Sequence, residues 1–144
     1  MNVNKEELIL DEIGEFLGWV TVVCYIISIC TFIVKQGNKL FISRLPKESQ
    51  IKKYYMLLMK LIIKCHMYFG ISAGIFAVIH YFVQTSSGHD SVTGTILMAA
   101  MVITVILGST VKLTKGSARK HILVVHRTAV AFVLLMVILH LIIH

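Results

Sequence analysis

Four histidines recur at equal intervals in segments where imidazole is costly to place. "HMYFGISAGIFAVIH" spans residues 66 to 80, and "HRTAVAFVLLMVILH" spans 126 to 140. His66 and His80 are fourteen apart, as are His126 and His140. Fourteen helical residues make about 3.9 turns and rise about 21 Å, so each pair lies nearly on one face of its helix. Neutral imidazole binds a metal through one ring nitrogen, and doing so removes an unmet polar group from lipid. Zinc and copper are the simplest ligands to consider. Zinc wants a tetrahedral set of nearby nitrogen or sulfur donors. Histidines 21 Å apart cannot share one ion. Cys65 adjoins His66 but points about a third of a turn away.

The surrounding chain says what must carry these side chains. Of 144 residues, 57% are apolar and 15% charged, with one Pro; mean hydropathy is +0.84. Soluble domains are about 45–50% apolar, so this is an all-α integral membrane protein of one domain, residues 1–144. Its net charge of +7 does not indicate nucleic acid, because the cations lie between apolar segments. Four segments have the ~20 apolar residues that a bilayer core requires: about 16–34, 54–83, 94–111 and 122–143. Lipid forbids unpaired backbone, and no alternating short strands suggest a closed barrel, so the expected form is a four-helix bundle. "TFIVKQGNKLFISRLPKESQ", "QTSSGHDSVTG" and "KLTKGSARK" read as connections.

Charge orients the bundle. Residues 35–53 carry Lys35, Lys39, Arg44, Lys47, Lys52 and Lys53 against Glu48; residues 112–120 carry Lys112, Lys115, Arg119 and Lys120 and no acid. The first fifteen residues hold Glu6, Glu7, Asp11, Glu12 and Glu15 against Lys5. The Lys/Arg bias puts both basic connections in the cytoplasm and both termini outside, in the cytoplasmic membrane. The acidic start lacks the basic flank of a signal peptide, so the first span is expected to be retained. Lys60 and Lys64, at the inner end of the second span, are expected to snorkel toward anionic lipid. Cys24, Cys30 and Cys65 lie in apolar runs without a CxxC and read as reduced, buried thiols.

In this topology the second and fourth helices run the same way. His66 is then level with His126 toward the cytoplasm, and His80 with His140 toward the outside. Each level offers two imidazoles, one from each helix, which is the axial demand of a haem iron. Two facing helices of a bundle can clamp such a macrocycle. The expected cofactors are two haem b groups (iron protoporphyrin IX), with His66, His126, His80 and His140 as iron ligands. Gly70 and Gly74, with Ser72, Ala73 and Ala77, would let the flat ring approach the backbone. Gly94 and Gly108 are also fourteen apart and are candidates to face the same two levels. All these small residues equally suit close helix packing. Arg127, beside His126, is the first candidate partner for an inner propionate, with Lys60, Lys64, Lys112, Lys115 and Arg119 nearby. The outer propionates have only Tyr81, Thr85, Ser86, Ser87, His89 or water. His89, His121 and His144 read as solvated histidines; His144 shares a face with His140 and could replace it as a ligand only by breaking the depth match with His80.

This pattern resembles the di-haem b-type cytochromes, including the four-helix core of respiratory cytochrome b and the small bacterial superoxide:quinone oxidoreductases. In respiratory cytochrome b the second and fourth helices each carry two His separated by thirteen residues, matched here by His66, His80, His126 and His140. Paired glycines of that family are matched by Gly94 and Gly108, and loosely by Gly14 and Ser28 on the first helix. The resemblance covers roughly residues 14–143 and implies electron transfer across the membrane, with quinone, superoxide or a redox partner protein as the other reactant. The long further helices and quinone-site loops of respiratory cytochrome b are missing, which argues against a bc-type role. A looser likeness is to the haem-sensing and haem-capturing membrane proteins of Gram-positive bacteria, which implies capture or buffering against haem and oxidative stress as the alternative. No nucleotide loop, HExxH or GxSxG motif is present, so any oxidoreductase chemistry is expected at a haem edge or on a partner.

Overall fold

The computed structural model describes residues 5–143, and every regular element among them is helical. Four long helices follow one another: α1 (Lys5–Leu40), α2 (Gln50–Ser86), α3 (Val92–Leu113) and α4 (Gly116–Ile143). Each is long and apolar enough to cross a membrane. A short 3-10 turn, Ile42–Arg44, lies in the first connection.

The helices outrun the apolar segments. α1 continues through Lys35 and Lys39 to Leu40, and α2 begins at Gln50. α4 begins at Gly116, so most of "KLTKGSARK" is helical and the connection shrinks to Thr114 and Lys115. Hydropathy marks what lipid covers, whereas Lys, Arg and Gln propagate a helix well beyond it. The reversals are correspondingly sharp. Gly116 takes φ +69° and Gly88 φ +82°, a region that costs glycine nothing. Ser91 caps α3 by accepting a bond from the Gly94 N–H at 3.2 Å. Lys52 Nζ donates to the Ser43 and Leu45 carbonyls at 3.3 and 2.8 Å, holding the first connection closed.

Neighbouring helices are antiparallel. Tyr55 Oη donates to the Val34 carbonyl at 2.8 Å and Thr31 Oγ1 to the Ile62 carbonyl at 3.5 Å, so α2 descends along α1. Gly74 meets Val105 and Lys112 meets Met67, setting α3 against α2. Tyr25 Oη, buried, donates to the Val130 carbonyl at 2.6 Å and closes α1 onto α4. α2 and α4 are therefore parallel, and they lie across the bundle from each other.

The core is a central layer. Cys24, Tyr25, Ala73, Ala77, Met101, Val133 and Val137 form one buried cluster. Ala73, 1% exposed, stands midway between His66 and His80, and Val133, 0% exposed, midway between His126 and His140. Outward-facing positions are apolar as well, among them Phe16, Trp19, Ile75, Phe82 and Leu135. That exterior suits a bilayer rather than water.

Candidate functional site

All four spaced histidines are half-buried, and each is held at Nδ1 by the neighbouring helix. His66 Nδ1 lies 2.9 Å from the Ser28 carbonyl and 3.0 Å from its Oγ. His80 Nδ1 lies 2.7 Å from the Gly14 carbonyl. His126 Nδ1 lies 3.2 Å from the Thr104 carbonyl. His140 Nδ1 lies 3.0 Å from Thr93 Oγ1, which is in turn 2.8 Å from Ser91 Oγ. α1 thus serves both histidines of α2, and α3 serves both of α4.

The three carbonyl contacts settle a tautomer. A carbonyl oxygen accepts only, so Nδ1 of His66, His80 and His126 carries the hydrogen and donates. In neutral imidazole the lone pair is then on Nε2. Among the described residues no hydrogen bond engages Nε2 of these three rings. An acceptor behind Nδ1 is also what orients metal-binding histidines and raises their basicity.

The rings of His66 and His126 come together, with centroids 6.5 Å apart and planes at 81°. Two imidazoles on opposite sides of one metal stand roughly 6 Å apart, from two metal–nitrogen bonds of about 2 Å plus the ring radii. The centroid separation of His66 and His126 is of that size. His80 and His140 lie at the other end of the same parallel helices, against the starts of α1 and α3. Among the described residues no group of three or more His, Cys, Asp or Glu could hold a metal ion. Two axial ligands suffice only for a metal that brings its own equatorial donors, as haem iron does.

Glycines make room for the rings. A Cβ at Gly108 would stand 3.1 Å from His126 Cε1, and one at Gly94 would stand 3.6 Å from His140 Cε1. Gly18 is equally close-set: its Cβ would lie 3.0 Å from His80 Cε1. Gly70 and Gly74 occupy helix contacts, the first facing Ser28 Oγ at 3.3 Å and the second Val105 Cγ2 at 2.8 Å.

The remaining polar groups are spread around the two ends. Arg127 is exposed beside His126 and has no ion pair among the described residues. Lys60 and Lys64 are exposed on α2. Lys112 Nζ reaches Met67 Sδ at 3.3 Å, next in sequence to His66. His121 Nδ1 contacts the Ser117 carbonyl of its own helix at 3.1 Å. His89 pairs with Asp11 at 3.6 Å, both exposed. His144 and the side chains of Glu6 and Glu7 lie outside the described residues. Sequence reasoning passed over Gly18, Thr93 and Thr104. Their signal is register: in an antiparallel pair, each step along α2 or α4 is matched by an opposite step along α1 or α3.

No protein-family model, no curated protein and no solved structure matches this chain.

Proposed function

We propose that the chain is a membrane di-haem b-type cytochrome that passes electrons between the two faces of the cytoplasmic membrane, with both termini extracytoplasmic. One observation carries this reading: four imidazoles, fourteen apart on two parallel helices, are each held at Nδ1 by a neighbouring helix. Haem iron, when bound between two histidines, supplies reversible one-electron chemistry with no open position for oxygen. The chain supplies the rest. Ser28, Gly14 and Thr104 orient three rings through their carbonyls, and Thr93 orients His140 through its hydroxyl. Gly18, Gly94 and Gly108 keep the space beside the rings free. The buried layer around Ala73, Met101 and Val133 keeps water from the middle of the bundle.

The orientation rests on charge. Lys35, Lys39, Arg44, Lys47, Lys52, Lys53, Lys112, Lys115, Arg119 and Lys120 cluster at the end where α1 and α3 finish, and Asp11, Glu12 and Glu15 at the end where they begin. The cationic end belongs in the cytoplasm. Quinone, superoxide or a redox protein is the proposed reactant.

The deciding experiment is haem stoichiometry with a reduced-minus-oxidised spectrum on the full chain in detergent. Two haems per chain with low-spin, six-coordinate bands support the reading, and a chain that cannot be loaded refutes it. Rapid reduction by quinol or superoxide then supports electron transfer. Reversible loading with slow redox points to capture.

A further inference from the structure

Among the described residues, Gln84 carries the one buried side-chain acceptor that the fold leaves unmet. Its Oε1 has no hydrogen-bond partner, and among the described residues no other buried side-chain nitrogen or oxygen shares that state. Unmet buried amides are costly, so an isolated one marks a missing ligand or a water. The amide is not loosely placed. Gln84 follows His80 by four residues and so sits one turn beyond it on the same face of α2. It packs on Gly14, where a Cβ would stand 2.7 Å from Gln84 Nε2. That same Gly14 presents its carbonyl to His80 at 2.7 Å. Gly14 therefore seats both groups at once, with the imidazole and the amide side by side.

The surroundings define what the amide can receive. Asp11, Glu12 and Glu15 belong to this end of the bundle, and Lys5 is its sole lysine or arginine among the described residues. His89 is already paired with Asp11. A carboxyl group arriving beside His80 meets no lysine or arginine, since Lys5 stands nine residues, about 13.5 Å along α1, before Gly14. A primary amide meets it in either protonation state, donating through Nε2 to a carboxylate or accepting at Oε1 from a carboxylic acid. Resting on the di-haem reading, we infer that Gln84 binds a propionate carboxyl of the haem held by His80 and His140. Neutral recognition at this level would contrast with the lysines and Arg127 at the other.

The test separates the carboxyl from the ring. A His66→Leu chain leaves only the His80 level to load, and it is titrated optically with haem b and with its dimethyl ester. Haem b binds about tenfold tighter than the ester, the worth of one hydrogen bond to an ionisable group. Gln84→Leu abolishes that preference by weakening haem b about tenfold and leaving the ester unchanged. Equal weakening of both, or of neither, overturns the inference. A second measurement needs no histidine change: the side-chain amide resonances of Gln84, assigned with Gln84→Leu, shift further when the native chain takes up haem b than when it takes up the ester, the effect of the ring itself being common to both. Two haems bound with equal shifts from haem b and ester sinks the inference alone. A native chain that takes up no haem sinks the reading of the histidines as well.

Discussion

A carbonyl oxygen accepts and never donates, and that single constraint fixes His66, His80 and His126 with Nε2 as the available nitrogen. Their rings are then positioned by what lies beside them. At Gly108 a Cβ would press to 3.1 Å on His126 Cε1, whereas at Gly94 it would rest at an ordinary 3.6 Å from His140. Gly108→Ala makes the His126 ring give by a few tenths of an ångström, which strained side-chain torsions make worth about 1 kcal/mol, or about fivefold in affinity. On the di-haem reading, haem titration is expected to show that loss at one of the two proposed sites, with Gly94→Ala close to the native chain. Equal effects of the two alanines would mean that ring clearance is not what these glycines provide. The histidine positions were legible because fourteen-residue spacing is written in side-chain identity. Their Nδ1 partners were not, since three of the four are backbone carbonyls, which any residue carries. Gly18 was missed for a related reason: its role depends on how closely α1 approaches His80, and only packing sets that.

Helices report a different limit of sequence reading. The four spans were plain from apolar length, but α1 and α4 run several residues further than lipid requires. Helix-forming lysines and arginines outside the bilayer leave no hydropathy signal of their own. Between elements, the α2–α3 seam holds a tight glycine contact, where a Cβ on Gly74 would meet Val105 Cγ2 at 2.8 Å. Overpacking of this kind costs about 1–3 kcal/mol. Gly74→Ala should destabilise the bundle by that amount in reversible unfolding from mixed micelles, and Val105→Ala in the same chain should recover most of it. A double variant no better than Gly74→Ala alone would place the cost elsewhere. On the opposite side, Tyr25→Phe removes the hydroxyl that joins α1 to the Val130 carbonyl. Interhelical bonds in membranes are worth about 0.6 kcal/mol on average, so a loss below about 2 kcal/mol is expected in the same assay.

The whole molecule is organised as two polar levels separated by an apolar layer. Ala73, Met101 and Val133 are each seven residues from both ends of their fourteen-residue pairs, and all three are buried. Between the paired histidines, the polar side chains of α2 and α4 are Tyr68, Ser72, Arg127 and Thr128, all in the half nearer His66 and His126. The two levels are about 21 Å apart along each helix. Substitutions separated by more than about 10 Å and sharing no partner add within about 0.5 kcal/mol. On the di-haem reading, this sets a quantitative expectation for the four histidines. His66→Leu and His126→Leu share one level, so the double variant should lose no more haem than either single one: one of two. His66→Leu and His80→Leu lie on different levels, and their losses should add until the chain is empty. The measurement is haem per chain, taken with circular dichroism to confirm that helix content is retained. A chain in which His66→Leu and His80→Leu each remove the same haem would contradict the two-level arrangement. Loss of both haems from any single change would instead mean that the central layer couples the levels and that filling one is needed to build the other.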